Sequence, residues 1–167
     1  MKKKEGTKKN EKEALDYIEK AIQCEPRNTF AWLQKGRLFL DIELNLTEAL
    51  ECFKKCIELD PYMFLAYHDI GLVWLKVFEN KDNFDKEDYD KAYSNFQKSK
   101  EINPMYIDNN YRIAQLYLIN KEYDNCIEYI ERSFLNFKTK GLFDLRNQVI
   151  KEMKIIYEKA ISQKYDN

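Results

Sequence analysis

The chain has 167 residues, 28 basic side chains against 29 acidic ones for a net charge of −1, and 44% apolar letters. This suffices for about one domain with its own core, while the near-neutral charge argues against a general binder of nucleic acid. No run of about 18 apolar residues occurs, so no membrane insertion is expected. The four cysteines, with neither an apolar leader before them nor the spacing of a disulfide framework, predict a reducing, cytoplasmic setting.

In chain order, residues 1–10 (MKKKEGTKKN) are short, polar and basic and are expected to form a disordered tail. Helical segments follow at 14–26 (ALDYIEKAIQCEP), 31–39 (AWLQKGRLF), 49–61 (ALECFKKCIELDP) and 66–74 (AYHDIGLVW). An acidic stretch, VFENKDNFDKEDYD (77–90), precedes three more helices at 92–104 (AYSNFQKSKEINP), 109–117 (NNYRIAQLY) and 126–138 (CIEYIERSFLNFK). The last element, LFDLRNQVIKEMKIIYEKAIS (142–162), has a stripe of Leu142, Leu145, Val149, Met153, Ile156 and Ala160, with Ile150, Tyr157 and Ile161 beside it.

Three of these segments align without gaps and a fourth aligns without the proline, so the chain is a repeat. Ala14 and Ala21, Ala49 and Cys56, Ala92 and Ser99, and Cys126 and Ser133 lie seven residues apart, two helical turns, with Ile18, Phe53, Phe96 and Ile130 between them on the same face. A small residue admits a neighbouring helix and a large one fills the adjoining hole. Pro26, Pro61 and Pro104 end their helices. In the alternate helices Gly36, Gly71 and Ala114 are equivalent, with Phe39, Trp74 and Tyr117 three residues on. A helical glycine costs about 1 kcal/mol relative to alanine, so its return at one place predicts close helix packing.

The pattern resembles the tetratricopeptide repeat, W-x2-L-G-x2-Y followed by A-x3-F-x2-A and P. The matching residues are Trp32, Gly36, Phe39, Ala49, Phe53, Cys56 and Pro61, then Tyr67, Ile70, Gly71, Trp74, Ala92, Phe96, Ser99 and Pro104, then Ile113, Ala114, Tyr117, Cys126, Ile130 and Ser133. Lys35 departs from the usual leucine, Asn110 from the usual aromatic and Lys138 from the closing proline. The resemblance covers about residues 11–140: a half repeat at 11–26, repeats at about 28–61, 63–104 and 106–138, and then residues 141–167 as a C-terminal capping helix. It implies an all-α fold, a right-handed solenoid of antiparallel helix pairs, A then B. Pro61 lies 35 residues after Pro26 and Pro104 lies 43 after Pro61, so nine extra residues fall at 77–90, either a solvated acidic insertion or lengthened helices. A calcium loop there is disfavoured, because no glycine stands where its sharp turn needs one.

No catalytic or metal constellation and no cofactor motif is found. His68 has no nucleophile in register and reads as a solvated groove residue. Cys24, Cys56 and Cys126 fall at packing positions, leaving only Cys52 without one. The helix at 11–25 has no A partner, so its Leu15, Ile18 and Ile22 are expected to face solvent and to drive self-association or partner docking.

The resemblance also implies a concave groove lined by A helices. The register assigns to it Phe30, Leu33, Gln34 and Arg37, then Leu65, His68, Asp69 and Leu72, then Asp108, Tyr111, Arg112 and Gln115. Apolar anchors mixed with both charge signs suit a protein or peptide segment of mixed charge, gripped by Arg37 and Arg112 with an apolar residue near Leu33, Leu65 and Leu72. The family's clamp for a C-terminal carboxylate would fall on Leu33, Arg37, Asp69, Asp108 and Arg112, of which only Arg112 fits; one repeat further on, His68, Leu72, Arg112, Leu142 and Arg146 fit no better. The expected function is a non-catalytic adaptor. The alternative is a structural subunit of a larger assembly, docked through its terminal helices or acidic insertion.

Overall fold

In the computed structural model, backbone is described for residues 2–43, 45–79, 85–141 and 147–165, and side chains for 10–41, 45–79, 85–141 and 147–165. Eight α-helices follow one another among these residues: α1 (Lys2–Cys24), α2 (Thr29–Leu38), α3 (Leu46–Leu59), α4 (Phe64–Glu79), α5 (Lys86–Ile102), α6 (Asp108–Ile119), α7 (Tyr123–Thr139) and α8 (Gln148–Tyr165). Each packs chiefly on its sequence neighbours, so the core is a string of three linked clusters.

The turns between repeats share one construction. Glu25, Asp60 and Asn103 each accept a bond from the backbone N–H three residues on, at 3.0, 3.1 and 3.2 Å, with Pro26, Pro61 and Pro104 at the second turn position. Asp60 and Asn103 also accept from the N–H two residues on, at 2.9 and 3.1 Å, closing an Asx turn. Their extended φ values, −141 and −130, are the conformation that a following proline enforces. Where Lys138 replaces the proline, α7 ends at Thr139 and is followed by Gly141, whose φ of 70 favours glycine.

The interlock of small and large residues is tight. A Cβ placed on Gly36 would fall against the ring of Phe53, and one on Gly71 would lie 2.6 Å from Cε1 of Phe96. Both rings are fully buried. In the third repeat the smaller Ile130 leaves room for Ala114, and both are again fully buried. Cys56 and Ser99 do more than stay small. The first donates to the Thr29 carbonyl at 3.3 Å and the second to the Phe64 carbonyl at 2.8 Å, each tying a B helix to the start of its A helix.

Departures in repeat length also find a structural outlet. The 35-residue spacing is absorbed by a π-helical turn, Phe39–Glu43, continuing α2. A π turn takes an extra residue without breaking the helix; its Leu40 carbonyl accepts from Lys76 Nζ at 3.2 Å. In the next repeat α4 runs on to Glu79 and α5 begins at Lys86, so the described part of the longer stretch is helical on both sides. Residues 80–84 lie outside the described residues, but the flanks of this stretch are not a solvated insertion. Phe78 and Tyr89 are buried edge to face at 5.9 Å, and Asp88, next to Tyr89 in sequence, is buried too.

The ends differ from expectation too. Helix α1 begins at Lys2, taking in the segment expected to be a disordered tail. The helix expected from 142 is described from Gln148, with Ile150, Met153, Ile156 and Ala160 buried against α6 and α7; Leu142 and Leu145 lie outside the described residues. Cys24 is exposed rather than packed.

Candidate functional site

Three A helices, α2, α4 and α6, carry the residues assigned to the groove, and the structure divides them. Leu33, His68 and Asp69 are 0%, 4% and 2% exposed and do not line an open surface. Gln34, Arg37, Leu65, Leu72, Asp108, Tyr111, Arg112 and Gln115 are half-buried, and Phe30 is exposed. The reason is that the B helix and the A helix that follow close over the middle of the expected face, around Leu33 in the first repeat and His68 in the second. Leu33 accordingly packs in the core around Phe53 and Ile70.

His68 is a core histidine, not a solvated one. Its Nδ1 lies 2.8 Å from Asn109 Oδ1, Asn109 Nδ2 donates to Ser99 Oγ at 3.0 Å, and Ser99 donates to the Phe64 carbonyl. Read from that carbonyl backwards, each donor finds one acceptor, so the chain of bonds requires the Nδ1–H tautomer. Burial lowers the His68 pKa to about 4, and the ring is neutral at pH 7.

Asp69 is held by Arg37 of the preceding A helix, Nε to Oδ2 at 2.5 Å. Burial raises its carboxyl to about 6, against the opposing pull of Arg37. At neutral pH the pair is ionised, so Arg37 is committed within the fold and Asp69 does not confront a ligand.

These two buried neighbours load stability in opposite directions. His68 binds protons more weakly folded than unfolded, so its contribution to stability rises with pH between about 4 and 6.5; Asp69 binds them more strongly folded, so its contribution falls between about 3.8 and 6. Replacing His68 with glutamine removes the first effect. The stability of the parent relative to the variant should grow by on the order of 3 kcal/mol from pH 4 to 7, given 1.36 kcal/mol per pKa unit. Urea titrations across that range showing a constant difference would place His68 in solvent.

The third A helix keeps its polar groups available. Arg112 stacks over Tyr111, Cζ 4.7 Å from the ring centre, and its Nη1 donates to Gln115 at 3.0 Å. Gln115 in turn donates to Glu79 of α4 at 2.9 Å. The buried Nε of Arg112 has no partner among the described residues. Asp108 lies one turn earlier, its carboxyl raised by burial and lowered by Arg112. Glu152 of α8 adds a second carboxylate near Tyr111, whose hydroxyl pKa it helps to raise beside the larger effect of burial. The sequence reading missed Glu152 and Glu79. Glu152 was findable: Ile150, Met153 and Tyr157 continue the spacing of Asn110, Ile113 and Tyr117, which puts Glu152 in the register of Arg112.

Other departures are locally satisfied. Lys35 pairs with Glu19 of α1 at 2.8 Å, and Asn110 is buried with its Nδ2 on Ser133 Oγ at 2.8 Å. Cys52 and Cys56 are buried, and burial raises their thiols to about 11 and about 12, away from the range of a reactive thiolate. Among the described residues no group of three or more His, Cys, Asp or Glu is placed to hold a metal ion, and no helix is long and apolar enough to cross a membrane.

Alternating helix pairs with a glycine-on-ring contact in each of two repeats define an α-solenoid of two-helix units. The sequence pattern of the tetratricopeptide repeat matches residues 31–63 and 107–134, so the chain carries tetratricopeptide repeats over those two stretches. Anaphase-promoting complex subunit 3 of Schizosaccharomyces pombe is 27% identical over 125 residues, 72% of this chain, and the chain spans only 17% of that relative's length. The crystal structure of MamA is similar with a TM-score of 0.60 at 23% identity, covering 98% of this chain and 94% of that one. The TPR2B domain of yeast Sti1, solved in a complex with pHsp70, is similar with a TM-score of 0.65 at 16% identity, covering 81% of this chain and 97% of that one.

Proposed function

We propose that the chain is a non-catalytic interaction scaffold whose A-helix face takes a peptide segment of a partner protein. The observation that carries this reading is the Arg112 guanidinium, stacked on Tyr111 with a desolvated N–H that no described group accepts. Arg112 as a whole is half-buried, and a carboxylate or carbonyl supplied by a ligand can accept a charge-assisted bond from its guanidinium. The complex of the Sti1 domain, a solenoid of similar fold, supports peptide recognition by such a frame.

The ligand chemistry differs from that read in the sequence. With Arg37 committed to Asp69, the patch offers one available guanidinium against the carboxylates of Asp108, Glu152 and Glu79. It fits a segment with a carbonyl or carboxylate at Arg112, a cation beside Asp108 and Glu152, and an apolar residue against Leu65 and Leu72. Peptides selected from a random display library on the immobilised chain should lose about tenfold in affinity to Arg112→Gln, with the melting temperature unchanged because Arg112 lies outside the core clusters. Selected peptides that bind both proteins equally would remove this face as the site. The second reading, a subunit docked through a terminal helix, is favoured by the exposed face of α1.

A further inference from the structure

Helix α1 is a B helix whose A partner is missing among the described residues. Leu15, Ile18 and Ile22, expected in solvent, are half-buried, and Lys35 of α2 reaches α1 at Glu19. The open side is instead the one carrying Tyr17, 72% exposed, and Ala21. Together with Phe30 and Gln34 of α2 it borders an apolar notch of about 260 Å³, separate from the Arg112 patch.

The rest of the chain shows what fits such a side. Helix α3 is α1 displaced by 35 residues: Ala49, Phe53 and Cys56 repeat Ala14, Ile18 and Ala21. The edge of α3 beside α2 carries Glu48, Glu51 and Lys55, and these share a surface notch with Trp32 and Lys35 of α2 and Phe39 of the π turn. The Lys35 ammonium sits 5.9 Å from each of the two aromatic rings. The equivalent edge of α1 is Glu13, Asp16 and Lys20, the same charges in the same order, all exposed. Opposite the large residue of each B helix stands Gly36, Gly71 or Ala114, and alanine is the choice where that residue is Ile130 rather than phenylalanine.

We propose that the open side of α1 is a docking site for an amphipathic helix of another protein, completing the first helix pair in trans. The incoming helix carries alanine or glycine opposite Ile18, an aromatic residue three positions later, and a cation facing Glu13 and Asp16. A second copy of this chain does not fit. Its last helix, α8, is of A type by register but places Lys154 where the small residue belongs.

The test uses the full chain and a side-chain-stapled peptide of residues 28–41 carrying Gly36→Ala, followed by fluorescence anisotropy. The peptide should bind saturably at one site per chain. Ala21→Arg in the protein, or Leu in place of that alanine in the peptide, should weaken binding at least tenfold. Asp16→Lys should weaken it about threefold, and Lys35→Glu in the peptide should restore it; this charge swap stands whether or not Ala21→Arg alters the fold. Equal binding of the leucine peptide, or indifference to the charge swap, overturns the proposal. So does sedimentation of the chain alone as a dimer that Ala21→Arg dissolves, which would assign the surface to a second copy.

Discussion

Gly71→Leu should cost about 3 kcal/mol of stability and leave peptide recognition untouched at any temperature where the variant is folded. The first side-chain carbon would meet Phe96 Cε1 at 2.6 Å, and Phe96 is fully buried, so neither group can yield without moving a helix. Overpacking of this kind costs about 1–3 kcal/mol or more, and relief of the glycine's propensity penalty recovers only about 1. For a chain of this size about 3 kcal/mol corresponds to roughly 6–12 °C in melting temperature. Phe96→Ala should be destabilising alone yet partly compensate Gly71→Leu in the double variant, because the ring's volume is what the leucine needs. Thermal melts of the four proteins give the coupling; independent, additive losses would mean that the two residues do not interlock.

Arg37→Glu should be at least as damaging, about 3–5 kcal/mol, although the sequence alone makes Arg37 a groove residue whose loss leaves folding intact. Asp69 is 2% exposed and accepts from Arg37 at 2.5 Å. Removing one partner of a buried ion pair strands the other, and the glutamate adds a like charge. The loss should shrink at low pH. Without Arg37, burial drives the Asp69 carboxyl above its present value of about 6, so the folded variant holds its proton more tightly than the unfolded chain does. Stability then falls as pH rises. Urea unfolding at pH 5 and pH 8 should show the larger deficit at pH 8, and Arg37→Met with Asp69→Leu should recover much of it, because an apolar pair of similar size needs no desolvation of charge. A variant as stable as the parent at pH 8 would put the pair in water.

The closing prolines, the paired-helix repeat and the interlocking residues were legible in the sequence, because each depends on what lies within a few positions along the chain. The prolines, the seven-residue spacing of small residues and the recurrence of Gly36 and Gly71 all belong to this kind. The extra residue before Pro61 and the nine extra before Pro104 were countable in advance; whether they made a loop, a π turn or longer helices was not.

Which residues face a ligand was decided by tertiary structure. Register along one A helix says which side points towards its neighbours, but not how near those neighbours come. Phe53 and Ile70 bury Leu33, Phe96, Tyr106 and Asn109 cover His68, and the buried Asp69 consumes Arg37 across the α2–α4 seam. At α6 the corresponding places hold Tyr111 and Arg112, which remain half-buried and add Glu152 from a helix that the repeat pattern alone treats as a cap. The sequence by itself determined the two-helix unit and its packing code, since local spacing and side-chain volume suffice to specify them. Only the assembled solenoid decided which polar groups are spent on the fold and which are left for a partner, because desolvation and pairing depend on distances between residues tens of positions apart.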